Sequence, residues 1–192
     1  ALKEAGWSVV EGSRIQKQYP IAQGRLVGGG KRNPPLKADY VLQYKNWNLA
    51  VIEAKRNDSH YTEGVGQAKD YAGRLQVRYT YSTNGLQIYS MDLQKGEESD
   101  VLTYPTPDEL WEMTFAEADS VNQDAGEWRD KFHKTPFETR SGTWQPRYYQ
   151  ENAITNALDA IAKGQDRILL TLATGTGKTA IAFQIVWKLF HS

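Results

Sequence analysis

The chain has 192 residues, with 23 Lys plus Arg balanced by 23 Asp plus Glu, and it contains no cysteine. This length suffices for one well-buried domain and part of a second. The balanced charge excludes a globally basic nucleic-acid-binding protein, so any nucleic-acid contact must come from local patches. Without cysteine there is no disulfide framework and no thiolate metal site, which fits a reducing cytoplasm. No apolar run approaches the roughly 20 residues of a membrane span, so we expect a cytoplasmic protein without a membrane partner.

Strand-like and helix-like segments alternate through the first 118 residues, which is typical of the α/β class. The turn-forming residues Lys45–Asn48 predict a β-hairpin, and Asn84-Gly85 predicts a second tight turn. Residues 24–35 form a Gly/Pro-rich loop. The predicted elements are the end of a helix (Leu2–Trp7), three strands (Trp7–Ile15, Ala38–Tyr44, Leu49–Lys55), a helix (Thr62–Gln76), two strands (Arg78–Thr83, Leu86–Asp92) and a short helix (Asp108–Ala118).

The remainder predicts a connector and the beginning of a second domain. The charged, weakly periodic residues Ser120–Gly142 are typical of a linker or lid. Three elements should follow: a helix (Pro146–Lys163), a strand (Arg167–Ala173) and a helix (Ala180–Phe190). We therefore predict a first domain at residues 1–105, a linker or helical connector at 106–143 and a truncated second domain at 144–192.

A phosphate-binding loop, LATGTGKT, occupies residues 172–179 between the last predicted strand and helix. Its glycines allow the backbone to curl so that N–H groups face phosphate oxygens. Lys178 would reach the β- and γ-phosphates of ATP, and the Thr179 hydroxyl would bind Mg²⁺. A plain Gly/Thr-rich turn is the alternative, but the flanking strand and helix favour a nucleotide site. The predicted ATP-binding residues here are Gly175, Thr176, Gly177, Lys178 and Thr179.

The loop departs from the general pattern at Leu172, where glycine is usual, and a small or apolar residue there resembles the loop of helicases. A working ATPase also needs a later strand ending in an acidic residue that holds the metal and positions water. Only one helix follows the loop. We therefore expect a piece of a longer protein, cut within or just after the first βα unit of a motor domain and unable to hydrolyse ATP alone.

A second cluster of reactive side chains lies on the predicted hairpin. Positions two apart on a strand share a face, so Glu53 and Lys55 should point the same way, with Asp39 beside Glu53 on the partner strand. The preceding residues 50–52 are apolar on both faces, as in a buried central strand. Charged groups ending such a strand favour a functional site over the alternative of solvated strand ends. We expect the three side chains to converge.

The chemistry of this cluster suits metal-dependent hydrolysis of a phosphodiester. Mg²⁺ prefers one or two carboxylates together with water and phosphate oxygens, so Asp39 and Glu53 are candidate ligands. Such a metal would acidify a water and polarise the phosphate, while Lys55 would orient that water or stabilise developing negative charge. Gln67 and Tyr71 lie one helical turn apart on the next predicted helix and can face the same site.

This pattern resembles the PD-(D/E)xK nuclease core with its QxxxY extension, although Ala38 replaces the proline that usually precedes the aspartate. The resemblance implies a mixed central sheet flanked by helices. It also implies metal binding by Asp39 and Glu53 and a role for Lys55 in serving the attacking water. The residues that carry the resemblance are Asp39, the triplet Glu53-Ala54-Lys55 and the stretch Gln67–Tyr71.

The same resemblance assigns supporting roles. Gln67 and Tyr71 would contact the DNA backbone or brace the site. The family often carries a further acidic residue on its first helix, for which Glu4 is the candidate and Glu11 competes. Basic residues near the site are further candidates for phosphate contacts, with ordinary solvated surface as the alternative for each: Lys31, Arg32, Lys37, Arg56 and Arg78.

Gln150 lies at a predicted helix start, 28 residues before Lys178. A glutamine can make two hydrogen bonds to adenine, and an arginine such as Arg147 or an aromatic residue can stack on its ring. The placement of Gln150 resembles the Q motif of superfamily 2 helicases; a helix-start glutamine on a polar face is the alternative. We therefore add Gln150 and Arg147 to the predicted ATP site.

A nuclease core, a Q motif and a helicase loop in this order resemble the motor (R) subunit of type I restriction enzymes. The resemblance implies that residues 144–192 begin a RecA-like domain. It implies that the full protein uses ATP to translocate double-stranded DNA and Mg²⁺ to cut it, in complex with methylation (M) and specificity (S) subunits.

Two alternative functions stay open. One is another helicase–nuclease fusion, such as a single-chain restriction–modification enzyme. The other is a non-catalytic, nucleotide-gated DNA-binding module with a decayed nuclease site. Whichever holds, the apolar faces of residues 144–192 should be partly exposed, because a single βα unit lacks packing partners.

Overall fold

A computed structural model of the protein describes residues 1–22, 34–139 and 141–192. The chain divides into two compact units, Ala1–Thr114 and Phe115–Ser192. This division falls inside the predicted connector at residues 106–143. The elements are β1 (Ser13–Ala22), β2 (Leu36–Tyr44), β3 (Trp47–Ala54), α1 (Val65–Leu75), β4 (Tyr79–Thr83), β5 (Ile88–Asp92), β6 (Glu97–Val101), α2 (Pro107–Val121), α3 (Gln123–Lys134), α4 (Tyr148–Ala162) and α5 (Lys178–His191).

The first unit is built on a six-stranded sheet with the order β1-β2-β3-β4-β5-β6. Neighbouring strands are antiparallel except for β3 and β4, which run parallel and are connected through α1. This topology confirms the predicted mixed α/β class. The narrower assignment to a nuclease core stays a prediction.

The predicted hairpin is confirmed between β2 and β3. Its turn residues Lys45 and Asn46 both have positive φ, 49° and 67°, as a tight two-residue hairpin turn requires. The register pairs Tyr40 with Ile52, so Asp39 on β2 lies at the level of Glu53 on β3. A register shift between Leu42 and Gln43 separates this pairing from the turn, so the turn and the bulge together set which carboxylates become neighbours.

Strand β3 forms the centre of the first unit. Residues 49–53 are buried on both faces, which matches the continuous apolar run expected of a central strand. Helix α1 contacts β3 and β4 and buries Ala68, Tyr71, Ala72 and Leu75. Strand β3 therefore ends beside α1, and its charged residue, Glu53, is buried.

At the amino terminus, the predicted end of a helix at Leu2–Trp7 is wrong, and the strand predicted at Trp7–Ile15 begins later than expected. Residues 1–12 form turns instead of a helix followed by a strand, and β1 begins only at Ser13. Gly6 and Gly12 adopt positive φ values of 91° and 79°, which end regular structure on either side of Trp7. Trp7 is fully buried, and its indole Nε1 donates to the Pro105 carbonyl at 2.8 Å. Tertiary anchoring of one aromatic residue thus overrides the local strand pattern.

Strand β6 lies in a stretch that carried no strand prediction. Its sequence, EESDV, is polar, and four of its five residues are exposed. It forms an antiparallel ladder with β5, from Asp92↔Glu97 to Ile88↔Val101. An exposed edge strand lacks the alternating apolar pattern that identifies a half-buried one, which explains why the sequence did not predict it.

The segment Ser120–Gly142, predicted as a linker or lid, contains the helix α3, which its weak periodicity did not reveal. Asn122 caps this helix by accepting a hydrogen bond from the Asp124 backbone N–H at 3.2 Å. The helix packs through Arg129, which is fully buried and pairs with Asp119 and with Asp159 at 2.7 Å. A charged residue occupies the position where an apolar one would have produced a helical pattern, so periodicity failed to reveal the element.

The predicted helices near residues 108–118, 146–163 and 180–190 are confirmed as α2, α4 and α5. The predicted strand Arg167–Ala173 is wrong, because this segment has no regular structure and its Leu169 is 90% exposed. A strand forms only by pairing, and no described strand pairs with this segment. Phe190 is 85% exposed, so the expected exposure of apolar side chains in this part of the chain is confirmed. No helix in the described part of the chain is both long and apolar enough to cross a membrane.

Replacing the buried guanidinium in Arg129→Met is expected to lower the free energy of unfolding of the second unit by about 3 kcal/mol, because Asp119 loses its ion pair with Arg129 and Asp159 keeps only its pair with Lys163. Urea denaturation measures this change. The matched control, Lys131→Met, removes an exposed ion pair with Glu127 from the same helix and should have a far smaller effect. Equal effects of the two substitutions would contradict a structural role for the buried network.

Candidate active site

The residues predicted to form the nuclease site come together at one end of β3. Asp39 lies on β2, Glu53 is the penultimate residue of β3, and Lys55 follows β3 directly. Gln67 and Tyr71 lie one turn apart on α1, which packs against the same strand. The sheet and a single helix therefore supply all five side chains.

Both carboxylate oxygens of Asp39 are held by neighbouring strands. Oδ2 accepts a hydrogen bond from the Ala54 backbone N–H at 2.9 Å, and Oδ1 accepts one from Gln18 Nε2 at 3.1 Å. Ala54 occupies the middle position of the predicted triplet and so contributes its backbone. Gln18, on β1, carried no sequence prediction, because no motif spacing connects it to the site.

Glu53 is a buried carboxylate, with 3% of the residue exposed. Its Oε1 accepts a hydrogen bond from Lys55 Nζ at 3.3 Å, whereas Oε2 is buried without a hydrogen-bond partner among the described residues. Burial raises the pKa of this carboxyl, and the nearby Asp39 carboxylate raises it further, against the opposing influence of Lys55. An added cation would relieve both penalties.

Lys55 extends the site toward α1. Its Nζ donates to Gln67 Oε1 at 3.0 Å, and Gln67 Nε2 donates in turn to the Tyr71 hydroxyl at 2.9 Å. One continuous hydrogen-bonded series therefore joins Glu53, Lys55, Gln67 and Tyr71. The expected convergence of Lys55 with the acidic residues is present, although the catalytic roles of these residues stay predictions.

Gly64, at the amino-terminal end of α1, permits this close approach. A Cβ at Gly64 would lie 2.7 Å from Ser82 Oγ, 3.0 Å from Glu53 Cγ and 3.2 Å from Lys55 Cε. Any side chain at this position would push the helix away from the site. The sequence did not single out Gly64, because close approach between a helix and a strand leaves no local pattern.

The remaining acidic candidates lie elsewhere. Glu4 pairs with the amino group of Ala1 at 2.9 Å, and Glu11 is exposed in the turns before β1. Within the described residues, no hydrogen bond or ion pair links either of them to Asp39, Glu53 or Lys55. Their membership of the site stays a prediction.

The basic candidates for phosphate contact fall into three groups. Lys31 and Arg32 lie outside the described residues. Lys37 is exposed on β2, and Arg56 is exposed with its guanidinium 3.3 Å from Asp58. The Arg78 side chain is largely buried, and its guanidinium hydrogen-bonds the Asp92 carboxylate at 2.7 Å. This ion pair competes with any phosphate for Arg78, whose contact with phosphate stays a prediction.

The second unit contains the phosphate-binding loop. Gly175 and Gly177 have positive φ values of 78° and 83°, as the predicted curl of the backbone requires. Lys178 begins α5, and its Nζ donates to the Ala173 carbonyl at 2.8 Å. Thr179 is exposed in the first turn of the same helix. The lysine therefore lies folded over its own loop, where bound phosphate would compete for it.

Gln150 contacts this loop directly. Its Oε1 accepts a hydrogen bond from the Arg147 backbone N–H at 2.9 Å, and its Nε2 donates to the Thr176 carbonyl at 2.9 Å. A Cβ at Gly177 would lie 2.5 Å from Gln150 Nε2 and would displace that amide, and the positive φ of Gly177 also favours glycine. A cavity of about 380 Å³ adjoins these residues, with Arg147 and Tyr149 among its lining. Adenine reading by Gln150 stays a prediction, since both ends of its amide already contact protein.

Gly64→Ala is expected to lower the free energy of unfolding of the first unit by about 1–3 kcal/mol, because the added methyl overpacks the junction of α1 and β3. Urea denaturation measures the change. Gly66→Ala is the matched control, because nothing lies within 4 Å of a Cβ at that position. It should raise the free energy of unfolding by about 0.5–1 kcal/mol, and a similar gain from Gly64→Ala would contradict the close approach.

Glu53→Gln tests the raised carboxyl pKa. The folded protein holds the proton on Glu53 above the ordinary pKa of 4.5, where the unfolded chain has lost it. Stability therefore falls as the pH rises from 4.5 through the raised folded pKa. The glutamine variant lacks this loss. Its free energy of unfolding should therefore increase with pH relative to that of the unsubstituted chain, when both are measured by urea denaturation between pH 4 and pH 8 in EDTA. A difference that is independent of pH would contradict the raised pKa.

Comparison with known proteins extends these observations. Residues 143–192 match the family described as "Type III restriction enzyme, res subunit". The whole chain is 34% identical over 209 aligned residues to the endonuclease subunit of the type I restriction enzyme EcoAI from Escherichia coli, and it covers 24% of that relative. The EcoKI endonuclease subunit from Escherichia coli strain K12 is 30% identical over 205 aligned residues, which cover 81% of this chain and 17% of the relative.

A solved structure gives the same result. It is a fragment assigned to the HsdR subunit of a type I restriction enzyme from Vibrio vulnificus YJ016. It matches with a TM-score of 0.78 and 38% identity, over 98% of this chain and 35% of that one. This chain thus spans about a quarter or less of the length of its two Escherichia coli relatives. The homologues of the chain are therefore endonuclease (HsdR) subunits of type I restriction enzymes, and the family resemblance predicted from the motifs is confirmed.

Proposed function

We propose that the chain carries the nuclease site, and the first nucleotide-binding motif, of an ATP-dependent DNA endonuclease subunit of a type I restriction–modification system. The observation that carries this proposal is the convergence of Asp39, Glu53 and Lys55 at the end of β3. A decayed nuclease site in a non-catalytic module would not be expected to retain all three groups in contact with their supporting residues.

The side chains present fit a magnesium ion. Glu53 Oε2 is buried and lacks a hydrogen-bond partner among the described residues, and the neighbouring Asp39 carboxylate adds to its unfavourable electrostatics. No group of three or more His, Cys, Asp or Glu suited to a metal occurs in the described residues. Two carboxylates would therefore leave the other positions to water and phosphate oxygens, which is the coordination that Mg²⁺ prefers. When bound, Mg²⁺ would polarise the scissile phosphate and acidify a water.

The protein's own groups would organise the hydrolysis. Asp39 and Glu53 would hold the cation, and Ala54 N–H fixes the direction of the Asp39 carboxylate. Lys55 would orient the attacking water and stabilise negative charge that develops on the phosphate. Gln67 accepts a hydrogen bond from Lys55 and donates one to Tyr71, so these two residues would hold the ammonium group in place or contact the DNA backbone.

The second unit would bind Mg-ATP. The N–H groups of the loop at 172–179 would face the phosphates, Lys178 would leave Ala173 to contact them, and Thr179 would bind the magnesium ion. Gln150 and Arg147 line a cavity beside the loop, and we propose that they would recognise the adenine ring once the Gln150 amide leaves its present partners. In the complete protein, hydrolysis at this site would drive translocation of double-stranded DNA.

The partners follow from the same proposal. The substrate would be double-stranded DNA, and the chain's balanced charge is compatible with recognition of the target sequence by another subunit. We propose that the complete protein assembles with methylation (M) and specificity (S) subunits.

In the complete protein, Glu53→Gln should lower the rate of DNA cleavage by at least about 100-fold, because the cation loses one of its two carboxylates. The rate of ATP hydrolysis should stay unchanged, since the two sites perform separate chemistry. Lys178→Ala should abolish ATP hydrolysis and, with it, ATP-dependent cleavage. Both rates are measured in the assembled complex with a plasmid substrate.

Glu63→Gln is the matched control, because it removes an exposed carboxylate from the segment that precedes α1 and should preserve both activities. Normal cleavage by Glu53→Gln would overturn the nuclease assignment. If Glu53→Gln abolished ATP hydrolysis as well as DNA cleavage, the result would contradict separate roles for the two sites.

A further inference from the structure

Gln18 has an unusual backbone conformation within β1. Its φ is 50°, in the left-handed region that side-chain-bearing residues rarely adopt. The other non-glycine residues with positive φ in the described part of the chain all lie in turns or at a helix end: Ser8, Lys45, Asn46, Gln76 and Ser141. The strained backbone of Gln18 therefore lies within a strand, where the chain does not reverse direction and no turn requires a positive φ.

The strained residue stands opposite Asp39. Lys17 pairs with Tyr40 and Tyr19 pairs with Ala38, so the β1–β2 ladder continues on both sides of the interruption. The Gln18 side chain donates to Asp39 Oδ1 at 3.1 Å. The local change of backbone conformation thus directs an amide group at a candidate metal ligand.

The contact completes the support of the Asp39 carboxylate. Ala54 N–H holds Oδ2, and without Gln18 the carboxylate could rotate about that single hydrogen bond. A cleft of about 210 Å³ opens beside these groups and is lined by Lys17, Gln18, Asp39, Tyr40 and Ala54. Because Gln18 is exposed, its hydrogen bond contributes little to folding. Strain that persists without a return in stability is a feature of functional sites.

We infer that Gln18 is a positioning residue, which fixes the orientation of the Asp39 carboxylate for binding the divalent cation of the nuclease site. This inference rests on the proposed function, because it requires Asp39 to be a metal ligand. Replacing a group that orients a metal ligand through a hydrogen bond typically lowers metal affinity or activity by about 10–100-fold.

Gln18→Gly separates positioning from structure. Glycine adopts positive φ without strain, so the melting temperature of the metal-free chain should stay unchanged or rise. The loss of the amide should raise the dissociation constant for Mn²⁺, measured by electron paramagnetic resonance, by roughly 10-fold. In the complete protein, the Mg²⁺ concentration for half-maximal DNA cleavage should rise by a similar factor, while the maximal rate stays nearly constant.

Gln16→Gly is the matched control on the same strand, where Gln16 Nε2 donates to Gln43 Oε1 at 3.5 Å. Glycine should lower the melting temperature there, because this position carries no strain to relieve, and should leave Mn²⁺ affinity unchanged. Asp39→Asn should abolish Mn²⁺ binding.

The outcomes distinguish the inference from the proposed function. If Asp39→Asn removes Mn²⁺ binding while Gln18→Gly retains the affinity of the unsubstituted chain, the role of Gln18 is wrong and the nuclease assignment stands. A fall in both melting temperature and affinity in Gln18→Gly would also overturn positioning in favour of a structural role. If the unsubstituted chain binds no Mn²⁺, or Asp39→Asn binds it equally well, both the metal role of Asp39 and that of Gln18 fail.

Discussion

The hydrogen bond from the Ala54 backbone N–H to the Asp39 carboxylate joins the two strands on which the candidate site is built. It exists because an irregularity in the β2–β3 ladder between Leu42 and Gln43 shifts the register by one residue from that of the Lys45-Asn46 turn, which brings Asp39 level with Glu53. A shift of one residue would turn every side chain of β3 to the opposite face of the sheet. Because residues on both faces of this strand are buried, such a shift would force the core to repack, so close packing also maintains the geometry of the site.

Burial then determines the electrostatics. Glu53 ends a strand covered on both faces, and its carboxylate therefore loses solvation while facing Asp39. Lys55 offsets part of this penalty, but Glu53 Oε2 still lacks a hydrogen-bond partner within the described residues. Gly64 contributes by its missing side chain, which allows α1 to approach close enough for Gln67 to reach Lys55. The first unit thus holds two neighbouring carboxylates in an unfavourable electrostatic arrangement, and a divalent cation would relieve it.

The second unit contains a network of ion pairs around a buried arginine. Arg129 is buried and pairs with the partly buried Asp119 and Asp159, so an ion-pair network joins α2, α3 and α4 beside buried apolar side chains such as Phe132 and Leu158. In contrast, apolar residues such as Leu169 and Phe190 are largely exposed. The nucleotide loop nevertheless keeps its curl, because the glycines supply it locally and Gln150 holds the Thr176 carbonyl. Local backbone conformation can thus persist where a βα unit lacks a neighbouring strand.

The sequence by itself determined the features that depend on neighbouring residues: the β2–β3 hairpin, the central strand, helices α1, α2, α4 and α5, and the two motifs that pointed to the family. It could not determine features that depend on distant partners. Among residues 1–22, 34–139 and 141–192, the segment 167–173 has no strand to pair with. The position of Trp7 depends on its contact with Pro105, and α3 is stabilised through buried Arg129. Only the tertiary structure brought Gln18 and Gly64 to the site. Hydrogen bonding across strands and close packing of a helix on a sheet arise from residues far apart in the chain, and they leave no local periodicity to read.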